Sequence, residues 1–129
     1  MAKWVHSDVL DNGISAIKAN ANKQVLLKAY TPGDSYSTVN GTSKLAEVAM
    51  ASGDYTLGSG SGSSRTLTTA AGKSATASAS SGATPDLHIA FVDTANSKVL
   101  WVTDVLDQAV ALNNPVNFPP LVYTAVQPT

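Results

Sequence analysis

Leu87-His88-Ile89-Ala90-Phe91-Val92, then Asp93-Thr94-Ala95-Asn96-Ser97, then Lys98-Val99-Leu100-Trp101-Val102-Thr103 is the stretch that decides the fold class. Two runs of β-branched and aromatic residues flank a segment made of turn formers, which is the pattern of a β-hairpin. In the first strand Leu87, Ile89 and Phe91 share one face, and His88, Ala90 and Val92 share the other. In the second, Val99 and Trp101 lie opposite Leu100 and Val102. Both strands are apolar on both faces, so the hairpin is expected in the middle of a sheet that is covered on both sides.

Working outward from it, short β-prone runs alternate with turn signals. Gln24 to Tyr30 reads as a strand that stops at Thr31-Pro32-Gly33-Asp34, where Pro presets φ and Gly accepts φ > 0. Ser35 to Val39 is expected to pair next and to end in a tight turn at Asn40-Gly41. Lys44 to Met50 fits strand or helix in isolation, and its neighbours favour strand. Asp54 to Leu57 is a short strand, and Gly58 to Ser64 is a Gly/Ser run that reads as a flexible loop.

Arg65 to Ala70 is Thr-rich and β-prone. From Lys73 to Ser80, Ser74, Thr76, Ser78 and Ser80 alternate with Ala75, Ala77 and Ala79, the period of a strand, and Ala71-Gly72 can close a hairpin between the two. This small-residue ribbon either lies on a sheet or extends from the body as an arm. Pro119-Pro120 confines Val116 to Phe118 to a short or edge strand, and Leu121 to Val126 is the last strand. Near the N-terminus, Leu10, Ile14, Ile17 and Ala21 fall on one helical face. Ser7 or Asp11 is placed to cap that helix, and Gly13 weakens it.

The expectation is a mainly β chain, an antiparallel β-sandwich or barrel of jelly-roll type with one short N-terminal helix and about eight strands. It forms a single domain over 1–129, with 1–22 as an N-terminal segment available to a partner. Charged residues are 13% of the chain, against roughly 25% in ordinary soluble domains. A Ser/Thr/Ala/Gly surface of this kind can be buried against a neighbour at little desolvation cost. The net charge of −1 attracts neither nucleic acid nor an anionic membrane. There is no cysteine, hence no disulfide or thiolate metal site. No apolar run suits a membrane span, and the N-terminus lacks the apolar core of a signal peptide.

Candidate chemistry fails on spacing or setting. His88 sits mid-strand among apolar residues and reads as a packed or hydrogen-bonded structural histidine rather than a base or ligand. His6 near Asp8 and Asp11 suits helix capping better than metal. The pairs Asp8/Asp11 and Asp104/Asp107 match no Ca²⁺ loop, and Asp93-Thr94-Ala95-Asn96 lacks the closing Glu of an EF-hand. Gly72-Lys73-Ser74 has Leu67 where a Walker loop needs Gly. Gly58-Ser59-Gly60-Ser61-Gly62 has the letters of a nucleophile elbow without its strand–turn–helix setting. The reading is therefore a non-enzyme with no catalytic residues, metal or cofactor. Trp101 is expected in the core. Trp4, with Val5 and His6, is the candidate partner-binding element: it either folds back on the domain or anchors in a partner's pocket.

The strings WVHSDVLDNG (4–13), LLKAYTPGDSYSTV (26–39), RTLTTAAGKSATAS (65–78), HIAFVDTANSKVLWVTD (88–104) and NFPPLVYTAVQPT (117–129) resemble small virion structural proteins of tailed bacteriophages. The resemblance runs over nearly the whole chain and carries no catalytic motif. It implies a virion protein assembled in the host cytoplasm, a capsid decoration (cement) protein that stabilises the capsid by bridging major capsid proteins, and a homo-oligomer, a trimer. The alternative is a tail, neck or head-fibre component with a receptor- or glycan-binding role, for which Tyr30, Tyr36 and Tyr55 are the aromatic candidates.

Overall fold

A computed structural model describes residues 3–5, 12–59 and 64–125 of the chain. These residues form an antiparallel sandwich with ten strands and one short α-helix: β1 (Trp4–Val5), α1 (Ser15–Asn20), β2 (Lys23–Leu27), β3 (Lys44–Ala49), β4 (Tyr55–Ser59), β5 (Arg65–Thr69), β6 (Lys73–Thr76), β7 (His88–Asp93), β8 (Lys98–Asp104), β9 (Pro115–Phe118) and β10 (Val122–Ala125). One layer is a five-stranded sheet in the order β1-β8-β7-β2-β3. The facing layer holds β10-β5-β4, the ribbon β6-β9 and α1, and none of the three sheets closes on itself.

The β7–β8 hairpin sits inside the large sheet, and every residue of β7 is buried. Its turn is built by Asp93, whose Oδ1 accepts the Ala95 amide at 3.0 Å and whose Oδ2 accepts the Asn96 side-chain amide at 2.7 Å. The face assignment along β8 differs from strict alternation. Phe91 pairs with Trp101 and Val92 with Val99, which leaves Leu100 as an inserted bulge residue. The bulge turns Leu100 and Trp101 into the same core, between the two layers, and sends Val99 and Val102 to the other face. Trp101 is in the core as expected. Its ring stacks on Phe91 at 4.7 Å, and Phe91 meets Tyr55 edge-on.

Four local expectations are corrected. Ser35–Val39 is not a strand: the chain makes a helical turn that ends as a π-helix over Thr38–Thr42. Ser35 starts it, its Oγ accepting the Thr38 amide at 3.2 Å, a local bond that competes with pairing in a sheet. Asn40-Gly41 lies inside that turn and makes no two-residue hairpin loop. Ala71-Gly72 closes no hairpin either, because β5 pairs with β4 and β10 whereas β6 pairs with β9; Gly72, at φ 78°, lets the chain cross between sheets. Gly13, at φ 76°, lies before α1 rather than within it. Ile17 and Ala21 are buried as the helical pattern required; Leu10, Ser7 and Asp11 lie outside the described residues.

The Ser/Ala ribbon lies on the body. Only Lys73–Thr76 is strand, but alternation persists: Ala77 is buried, while Ser74, Thr76 and Ser80 are exposed. Lys73 ties it down through Asp54 at 2.9 Å. The Ala51 amide and then this ammonium hold the Asp54 carboxyl below its ordinary range. Of the Gly/Ser run, Gly58 and Ser59 extend β4, and 60–63 lie outside the described residues.

Beneath the large sheet's second face, Tyr30, Tyr36 and Val39 pack on Val25, Leu27, Ala90, Val92, Val99 and Val102. In the first core, Gln24 is the misfit. It is 0% exposed, its Nε2 reaches only the soft acceptor Met50 Sδ at 3.2 Å, and its Oε1 meets no donor among the described residues. Gln24→Leu should therefore stabilise the fold by about 1 kcal/mol, since removing a poorly satisfied buried amide offsets the lost sulfur contact. Urea unfolding with an unchanged m-value checks this; a lower midpoint would show that the amide is satisfied.

Candidate functional site

Two features converge where β7 begins and β8 ends. The first is a cleft of about 730 Å³, roofed by the connection from Asp104 to Pro115 and floored by Leu26, Leu87 and Ile89. Val116, Phe118 and Leu121 close its far side, so its lining is mostly apolar. Asp107 fixes the connection, accepting the Leu87 amide on Oδ1 at 2.7 Å, and Ser81 Oγ accepts the Val110 amide at 2.8 Å. On this anchored loop Leu106 is 92% exposed. Leu112, on the turn between the lining residues Val110 and Asn114, is 52% exposed.

The second feature is a polar cluster. His88 and Asp104 are directly paired across β7 and β8, and Asp86 precedes His88 by two residues. One ring nitrogen of His88 and one carboxylate oxygen from each aspartate lie within 4.8 Å of one another. His88 is 0% exposed, Asp104 half-buried and Asp86 exposed. The ring packs on Tyr30, with centroids 5.9 Å apart, and burial pushes the Tyr30 phenol above its ordinary value. His88 is buried and hydrogen-bonded, as a structural histidine was expected to be, and its grouping with Asp86 and Asp104 was not read from the sequence. The i, i+2 spacing of Asp86 and His88 was legible, but Asp104 joins only through the hairpin register.

The partner-binding candidates are placed as follows. Trp4 pairs with Val102 at the sheet edge and is half-buried against the second-face cluster, so it folds back on its own domain. Val5 pairs with Trp101, and His6 lies outside the described residues. Of the aromatic candidates for glycan contact, Tyr55 and Tyr30 are buried, which leaves neither ring open to a ligand, and Tyr36 is half-buried. The exposed leucines of the 104–115 connection were not singled out by the sequence, because apolar residues near Pro and Asn turns fit a buried loop equally well.

No helix among the described residues is long and apolar enough to cross a membrane. No protein-family model, curated protein or solved structure matches the chain.

Proposed function

We propose that this chain is a non-enzymatic structural subunit of a tailed-phage particle, a decoration protein that binds the major capsid protein and bridges its copies. The observation that carries the assembly role is the hydrogen-bonded loop that leaves Leu106 and Leu112 exposed beside a mostly apolar cleft. Large exposed apolar groups clustered at a cleft are the mark of an interaction surface. The low charge of the chain lowers the cost of covering the surrounding surface. The resemblance of the sequence strings to virion proteins supplies the particle. With Trp4 packed on its own domain, the cleft loop rather than the N-terminal segment is the capsid-facing element in this reading.

Quantitative mass spectrometry of purified particles tests it. A copy number in the hundreds, with a trimer in native mass spectra of the free protein, is the expected result. A copy number of about a dozen or fewer assigns the chain to the tail, neck or a head fibre and ends the decoration reading.

A further inference from the structure

We propose that Asp86, His88 and Asp104 form a binding site for one divalent transition-metal cation of the Zn²⁺ class. This inference does not depend on the assembly role. It begins with the histidine tautomer. His88 Nδ1 lies 2.9 Å from the Asp86 carbonyl oxygen. A carbonyl only accepts, so Nδ1 carries the proton, and in the neutral ring the ligating lone pair belongs to Nε2. A backbone carbonyl that orients the far nitrogen in this way is the usual support of a metal-ligating histidine.

Nε2 faces Asp104 Oδ1 at 3.6 Å. That separation exceeds the 2.7–3.2 Å of a direct N–H···O bond. It is near the edge of about 3.4 Å between two ligands on a tetrahedral Zn²⁺, given metal–ligand distances of about 2.0–2.2 Å. The backbone holds both groups without strain: they are register partners on one face at the sheet's end. Asp86 adds a carboxylate from the solvent side, which gives the ion a path of entry and leaves room for water to complete the shell. One imidazole with two carboxylates selects a borderline cation such as Zn²⁺ or Co²⁺ over Ca²⁺ or Mg²⁺, which prefer all-oxygen shells.

The experiment uses the full, tag-free chain stripped with chelator and titrated with ZnCl₂ by calorimetry, with CoCl₂ absorption as a second probe. Expected are one site per chain with micromolar or tighter affinity, and a visible Co²⁺ band of a low-coordinate site. Asp104→Asn and Asp86→Asn should each weaken binding by about tenfold or more. His88→Gln should abolish it. If His88→Gln fails to fold, the two aspartate variants, which replace solvent-reaching groups by isosteric amides, still decide the matter. Long-range ¹H–¹⁵N spectra should show the Nδ1–H tautomer in the metal-free chain and a shift at Nε2 alone on loading. A purely structural His88–Asp104 pair predicts that Asp86→Asn is silent and that no Zn²⁺ binds. Either absence of binding at millimolar ZnCl₂ or unchanged affinity in both aspartate variants overturns the proposal.

Discussion

Phe91→Ala is expected to destabilise the fold by about 3–5 kcal/mol, a large share of the roughly 5–15 kcal/mol that holds a domain together. Phe91 is 0% exposed on the central strand of the large sheet, stacked on Trp101 and touching Tyr55 edge-on. Its removal deletes buried apolar surface and leaves a cavity at the meeting point of both layers. Hydrogen bonding in the sheet prevents β7 from moving to fill it, since β2 and β8 hold it on either side. Thermal unfolding followed by tryptophan fluorescence should show a midpoint lower by at least about 10 °C. Trp101 also packs edge-on against Tyr123 of β10, so its emission should shift to the red in the folded variant. A midpoint within a few degrees of the parent would mean that the two layers do not depend on this aromatic contact.

On the proposed decoration role, Leu106→Asp combined with Leu112→Asp is expected to weaken association with the particle by roughly two orders of magnitude while leaving the fold intact. Both side chains are already in solvent, so the substitutions sit among those that alter stability by about 0.5 kcal/mol or less. In a bound state each leucine would contribute about 1.5 kcal/mol or more by burial. Together they amount to about 3 kcal/mol, roughly two orders of magnitude in affinity. Sedimentation of the purified variant with particles that lack the protein measures this directly, with circular dichroism confirming the fold. Undiminished binding would count against the cleft loop as the proposed binding surface. The paired result, loss of binding with an unchanged melting curve, separates an interface role from a core role.

The order of β-strands along the chain was legible because it depends on local chemistry. Alternation, Pro and Gly punctuation and the Asp93–Ser97 turn each constrain the backbone within a few residues. The central place of β7 and β8 followed from their having no polar face. The alternation of Ala75 and Ala77 with Ser74 and Thr76 was visible as a strand period, and packing on the body turns the alanine side inward. Where the reading failed, a nearby competitor with a similar free energy won. At Ser35 a hydroxyl-capped turn replaced a weak strand, and at Leu100 one inserted residue exchanged the faces of a strand that is apolar throughout. Such a strand tolerates either register, so its sequence carries no preference.

The hairpin Leu87–Thr103 by itself therefore determined that this is a β protein with a doubly covered central sheet, and the composition determined a surface poor in charge. Only the tertiary structure decided which residues of that hairpin face which core, since the bulge answers to packing on both sides at once. It also decided what the ends of the hairpin do. His88 and Asp104 are sixteen positions apart in the chain and become neighbours through antiparallel register, while Leu106 is left in solvent because Asp107 is drawn back to the Leu87 amide. Contacts of that kind depend on distances through space, which no local pattern of residue types encodes.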